Sequence, residues 1–129
     1  MKLTYVILYV ESIKKSLSFY QEALGLKVRF THESGDYAEM DTGETVLAFC
    51  NHQLADSILK QDYHRSGVSK KLLGSQITFS PENIKSAYEN AIANGATKIA
   101  APEIKPWNFE VAIVKDIDGH IIEFAKDLN

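Results

Sequence analysis

Cysteine is nearly missing from this chain. Cys50 stands alone, so no internal disulfide can form, and the composition fits a reducing cytoplasm. Long apolar runs are missing as well: no stretch reaches the length a bilayer span needs, and no basic-plus-apolar leader opens the chain. Positive charge is not in excess. The net charge of −3 at pH 7 removes the electrostatic case for nucleic acid or an anionic membrane as partner. Low-complexity sequence is absent too. What is present is 129 residues, 45% hydrophobic and 24% charged. That profile suits one soluble domain, 1–129, with a sizeable core.

The stretch around which the rest is organised is 111–124, VAIVKDIDGHIIEF. Two apolar runs flank Asp116-Ile117-Asp118-Gly119, and Asp-Gly between β-rich runs predicts a hairpin, because glycine tolerates the positive φ of the turn. The second run sets Glu123 among Ile121, Ile122 and Phe124. A carboxylate in an otherwise apolar strand is costly unless something compensates for it.

Upstream, 3–10 reads as a strand with both faces covered. Ser12 caps a helix whose buried face is Ile13, Leu17, Tyr20 and Leu24, and Gly25 stops it. Strands follow at 26–31, 37–41 and 44–50, separated by turn signals at Ser34-Gly35-Asp36 and Thr42-Gly43. Residues 51–72 read as a polar connecting loop with a short helix over 54–59; His52 and His64 belong to that loop. The pattern then restarts. A strand at 75–79 leads into a helix opened by Ser80-Pro81, with Ile84, Ala87, Tyr88, Ala91 and Ile92 buried and Gly95 at its end. A strand at 96–101 follows, then a loop marked by Pro102 and Pro106 with Trp107 at its end, and the closing hairpin.

The chain thus contains one βαβββ module twice, 3–50 and 73–126. A shift of 71 superposes Ile13 on Ile84, Lys14 on Lys85 and Tyr5 on Gln76. Each module covers one face of a four-stranded sheet with a helix, and the other face needs a partner. The fold class is α+β, with two mixed sheets curling around a shared cup, a natural small-molecule site. Strand parity puts Val6, Leu8 and Val10 on the first helix and Tyr5, Ile7 and Tyr9 in the cup. By the repeat, Gln76, Thr78 and Ser80 line the cup, while Ile77 and Phe79 face the second helix.

On Ser16-Leu17-Ser18-Phe19-Tyr20, Leu24-Gly25-Leu26, Asn94-Gly95-Ala96 and the closing 116–124 motif, the chain resembles the vicinal-oxygen-chelate superfamily of glyoxalase I, bleomycin-resistance proteins and extradiol dioxygenases. The likeness covers 3–126. It implies paired βαβββ modules, a homodimer and, in metal-using members, four ligands on the first and fourth strand of each module. Those positions fall on Tyr5, Ala48, Gln76 and Glu123. Ala48 cannot coordinate, and only Glu123 is an ordinary strong ligand. A reactive divalent centre wants three or more strong donors, so the expectation is no metal cofactor, with Gln76 and Glu123 as the residual candidates. A slip of the short strand 44–50 would bring up Leu47, Phe49 or Cys50 instead of Ala48.

Two functions follow. In the first, the cup binds a small molecule, a drug or toxin that is aromatic or cationic. Tyr5, Tyr9, Ala48, Phe49 and Trp107 surround it, Gln76 and Glu123 anchor it, and Glu39, Asp41 and Glu110 supply negative charge. Trp107 is there on its likeness to the Pro-Trp feature of bleomycin-resistance-like members. In the second, the protein is a metal-dependent lyase, isomerase or dioxygenase like lactoylglutathione lyase, with further ligands from His52 and His64 or from a second subunit and with Glu123 as the catalytic candidate. Against each candidate stands a plainer reading. Glu123 can simply hydrogen-bond across the cup, Tyr9 can fill a strand, Trp107 can be core or a dimer contact, and Cys50 can be a small buried apolar residue. His120, opposite in parity to Glu123, reads as structural or as a surface residue, and the pairs Lys14-Lys15 and Lys70-Lys71 as solvated faces.

Overall fold

The computed structural model describes residues 1–67 and 71–129; Lys70 of the Lys70-Lys71 pair lies outside them. The first module runs β1 (Tyr5–Val10), α1 (Ile13–Leu24), β2 (Lys27–Thr31), β3 (Tyr37–Asp41) and β4 (Val46–Asn51). A connecting helix, α2 (His52–Leu59), follows. The second module runs β5 (Gln76–Phe79), α3 (Ile84–Ala93), β6 (Thr97–Ile104), β7 (Phe109–Lys115) and β8 (Ile121–Asp127). The sheets are ordered β1-β4-β3-β2 and β5-β8-β7-β6. In both, the first and fourth strands of the module are parallel neighbours and the remaining pairs antiparallel. The offset of 71 read from the sequence holds, since α1 and α3 begin at Ile13 and Ile84 and β1 and β5 at Tyr5 and Gln76.

The helices start where a short polar side chain can satisfy a free backbone N–H. Ser12 accepts from the Lys15 N–H, and Asn83 accepts from the Ser86 N–H. Asn83, not Ser80-Pro81, is therefore the cap of α3: it is the repeat equivalent of Ser12, and its side chain reaches the third residue on. Gly25, at φ 70°, ends α1 with its N–H on the Gln21 carbonyl. β6 is longer than expected and continues through Pro102. It is the outer strand of its sheet and its register shifts around that residue, and an edge with a bulge tolerates the missing N–H.

Side chains on the helix side merge into one core. Met40, Leu47, Phe49, Val114, Ile122 and Phe124 from the sheets pack with Phe19, Tyr20, Ile84 and Tyr88 from the helices. Asn90 on α3 donates to the carbonyls of Glu22 and Ala23 at the end of α1, each at 3.0 Å. The Asp-Gly turn between β7 and β8 is drawn into the same junction. Asp116 and Asp118 are buried. Asp116 Oδ1 accepts from the N–H groups of Asp118 and His120, and its Oδ2 from the Tyr20 hydroxyl on α1. Asp118 accepts from the Glu11 N–H and the Ser16 hydroxyl. The turn is thus a clasp between the modules as well as a reversal.

The connecting segment docks on the free edge of β1. The Tyr9 carbonyl accepts from the Ser66 hydroxyl and stands 2.9 Å from His120 Nε2, which gives His120 the structural role read from its parity. His52 is not a loop residue. It opens α2, is buried, and has Nδ1 2.7 Å from the Tyr63 hydroxyl and Nε2 3.0 Å from the Ser66 carbonyl. Both ring nitrogens are committed.

Candidate functional site

Each sheet leaves one face open. On β1, Tyr5 and Ile7 are each 45% exposed, while Val10 is fully buried and Val6 and Leu8 pack on the core. On β5, Gln76 and Thr78 are exposed, and Ile77 and Phe79 pack inward. On β8, half-buried Glu123 stands between buried Ile122 and Phe124. The alternation expected from strand parity holds on all three strands.

The registers place Ala48 without ambiguity. Ile7 pairs with Ala48 across β1–β4, and Thr78 pairs with Glu123 across β5–β8. Since Ile7 and Thr78 are equivalent in the repeat, so are Ala48 and Glu123. The strand has not slipped, and the position matching Glu123 in the first module carries a methyl group. Tyr5 and Ala48 share the open face of the first sheet, and Gln76 and Glu123 that of the second. Thr78 Oγ1 donates to Glu123 Oε1 at 3.0 Å, and Gln76 Nε2 lies 3.4 Å from Thr78 Oγ1. Among the described residues the hydrogen-bond partner of Glu123 is therefore Thr78, rather than Gln76 or Tyr5.

Four other expected residues sit apart. Phe49 does not reach the open face. It is fully buried on the helix side, its ring 4.8 Å from that of Tyr20, because it alternates with Ala48 along β4. Tyr9 is half-buried and makes an edge contact with Tyr63 at 5.5 Å, so its ring caps the connecting segment. Trp107 is 62% exposed in the β6–β7 turn. Glu123 pairs with Ile113, and that turn begins beyond Phe109, four residues or roughly 14 Å further along the strand. Glu110 shares the parity of core residues Ala112 and Val114 and so belongs to the helix side, away from the open face.

One polar group on the open face of the first sheet, expected from sequence only as a source of negative charge, is tied into a defined set of contacts. Glu39, on β3 directly opposite Ala48, is 9% exposed. Its Oε2 accepts from the Tyr37 hydroxyl at 2.8 Å, and its Oε1 lies 3.4 Å from Arg29 Nε. Burial and the bond to Glu39 push the Tyr37 phenol well above its ordinary range, so the phenol remains a donor. Its alternation with Ala38 and Met40, both fully buried, was the available signal. Cys50 is also on this face, paired with Tyr37; burial raises its thiol pKa and keeps it a small protonated side chain.

These donors do not fit a divalent metal. Ala48 has no donor atom, Gln76 offers a neutral amide, and Glu39 is already held by a guanidinium and a phenol. Among the described residues no three His, Cys, Asp or Glu side chains gather closely enough to hold an ion. None of Tyr5, Ala48, Gln76 and Glu123 lines a groove such as that of about 420 Å³ along the seam of β1, β4 and β5. No helix of the described residues is long and apolar enough to cross a membrane.

The comparisons with known proteins agree with this architecture. Residues 3–129 match the Glyoxalase-like domain family. The uncharacterized protein YraH of Bacillus subtilis (strain 168) is 30% identical over 99% of this chain and 100% of its own length. The lactoylglutathione lyase of Escherichia coli O157:H7 is 30% identical over 98% of this chain and 93% of its own. Among solved structures, a glyoxalase/bleomycin resistance protein/dioxygenase family enzyme from Burkholderia phytofirmans PsJN superposes with a TM-score of 0.82, at 25% identity, covering 99% of this chain and 100% of that one. With the paired βαβββ modules, their parallel first and fourth strands and the matching length, the chain belongs to the glyoxalase-like family of the vicinal-oxygen-chelate superfamily.

Proposed function

We propose that this chain is a binding member of its family, taking up a flat, aromatic small molecule on the open sheet faces without metal chemistry. One observation carries the reading: the register puts Ala48 at the position equivalent to Glu123, so the corner where metal-using relatives place ligands lacks a donor, while Tyr5, Ile7 and Phe30 stay 45% exposed. Exposed aromatic and branched side chains on a sheet face are poorly solvated and are stabilised by covering. Glu123, held by Thr78, and Gln76 are the polar anchors. The acidic lining expected to draw a cation is reduced, since Arg29 offsets Glu39, Lys27 opposes Asp41 and Glu110 faces the other way. A drug or toxin remains the ligand class that needs affinity alone.

A second copy completes the cup in this proposal. The outer strand β2 is exposed throughout, and β6 exposes Ile99 and Ile104; unpaired edges and open faces of this kind are stabilised by pairing. The second reading, a lyase acting like lactoylglutathione lyase, is favoured by relatives so named at 30% identity over nearly the full chain. It requires donors that Ala48 and Tyr5 do not provide. Calorimetric titration with a panel of aromatic and cationic drugs, bleomycin-type glycopeptides included, tests the binding reading; heats confined to the dilution level across the panel reject it. Near-stoichiometric nickel, zinc, iron or manganese in protein purified without chelator, lost in Glu123→Ala, favours the enzyme.

A further inference from the structure

We propose that Arg29 is the anion-binding element of the open face, and that the ligand taken up there carries a carboxylate, sulfonate or phosphate. The inference rests on the binding reading above and adds the ligand's charge. Arg29 sits where the β2–β3 register shifts: Val28 pairs with Met40, and Phe30 with Glu39, so Arg29 is the extra residue of a bulge. A bulge re-aims the side chain it inserts. Here Arg29 and Phe30 together oppose Glu39, so both side chains fall on the open face, where regular alternation from Val28 would place Arg29 alone.

Glu39 forms an ion pair with the guanidinium. Its carboxylate is nearly buried, its Oε2 is taken by the Tyr37 hydroxyl, and its Oε1 lies 3.4 Å from Arg29 Nε. The contact uses the inner nitrogen of the guanidinium. Among the described residues the two terminal nitrogens make no hydrogen bond, and half of the Arg29 side chain is exposed. With its Nε side towards Glu39, the guanidinium presents its terminal N–H groups as a planar fork, the geometry that accepts two oxygens of an anion at once. Phe30 follows on the same strand at 45% exposure, and Tyr5 is equally exposed on β1. An aromatic acid therefore finds apolar surface and a matched fork on one sheet face. Glu39 and Tyr37 are positioning residues that act through Arg29.

If the ion pair served only to neutralise Glu39, Arg29 would not discriminate between ligands. The test compares 2-naphthoate with its neutral isostere 2-naphthamide by calorimetry at low ionic strength. The expected result is binding of the acid about tenfold tighter than the amide. Arg29→Gln brings the ratio close to one, chiefly through loss of affinity for the acid. Arg29→Lys lowers the ratio part of the way, because a point charge cannot make the paired bonds. Equal binding of both probes to the unaltered protein, or a ratio that survives Arg29→Gln, overturns the assignment and leaves the binding reading standing. Failure of both probes to bind rejects the two together. Arg29→Lys serves as the second variant should Arg29→Gln fail to fold, which near-ultraviolet circular dichroism reports.

Discussion

The Tyr20 hydroxyl donates to Asp116 Oδ2 at 2.6 Å, joining α1 of the first module to the β7–β8 turn of the second across 96 residues of sequence. Both residues are buried. A carboxylate taken out of water is costly unless every oxygen is satisfied, and Tyr20 satisfies the oxygen that the turn's own N–H groups do not reach. The closing motif thereby becomes the point at which two modules behave as one folding unit.

Tyr20→Phe leaves Asp116 Oδ2 buried without its donor. The expected loss is about 1.5–3 kcal/mol, which in a domain of this size lowers Tm by on the order of 5–10 °C. The same pair predicts alkaline behaviour. Burial, then the charge and bond of Asp116, raise the Tyr20 pKa well above 10.0. The unfolded chain releases this proton first, so the stabilisation is fully present below pH 10 and is lost as pH rises through the folded value. Urea unfolding followed from pH 7 to 11 should show this decline in the unaltered protein and a shallower one in Tyr20→Phe. Parallel curves contradict the assignment.

Asp118 has the opposite character for a carboxylate. Burial raises its pKa above 3.8, outweighing the Glu11 N–H that favours the charge. Its contribution is therefore present below the unfolded value and lost as pH rises through the folded one. Asp118→Asn removes the charge, keeps the acceptor for Glu11 and offers Ser16 a donor. Its Tm at pH 7 should equal or exceed that of the unaltered protein, with the advantage shrinking towards pH 4. A Tm at pH 7 that is clearly lower shows that the charge itself is needed.

Residues on paired strands of one sheet should respond in different ways. Phe49→Ala opens a cavity beneath Tyr20 and is expected to cost about 3–5 kcal/mol. Tyr5→Ala, on the open face with 45% exposure, is expected to cost less than about 1 kcal/mol while weakening aromatic ligands several-fold. Thermal melts and titrations of both variants check the division between core and open face. Comparable destabilisation by the two would contradict it.

The empty ligand corner can be refilled. Tyr5→His, Ala48→Glu and Gln76→His together supply two imidazoles and a carboxylate beside Glu123, a donor set suited to zinc or nickel. Elemental analysis should find metal in the triple variant and a strong reduction once Glu123→Gln is added. A triple variant that folds but takes up no metal means the four positions do not converge, within a chain or between copies.

Much of the architecture was legible because it follows from short-range rules. Period-two alternation separated Tyr5 and Ile7 from Val6 and Leu8, helical spacing and a polar cap placed α1, and a shift of 71 identified the second module. Those regularities need only neighbouring residues. The cap of α3 was misread because Pro81 and Asn83 both signal a helix start, and a side-chain contact with the Ser86 N–H decides between them. Phe49 was misplaced by weighing its aromatic character above its parity with Ala48.

The sequence by itself determined the duplicated module, the family and the missing donor at Ala48, since each depends on residue identity at a fixed spacing. Only the tertiary structure decided that Asp116 and Asp118 clasp the two modules, that a bulge sets Arg29 and Phe30 together opposite Glu39, and that Trp107 lies far along the sheet from Glu123. Those depend on strand register and on contacts between residues distant in the chain. Local preference carries no information about either, because the free energy that selects them comes from burying both partners at once.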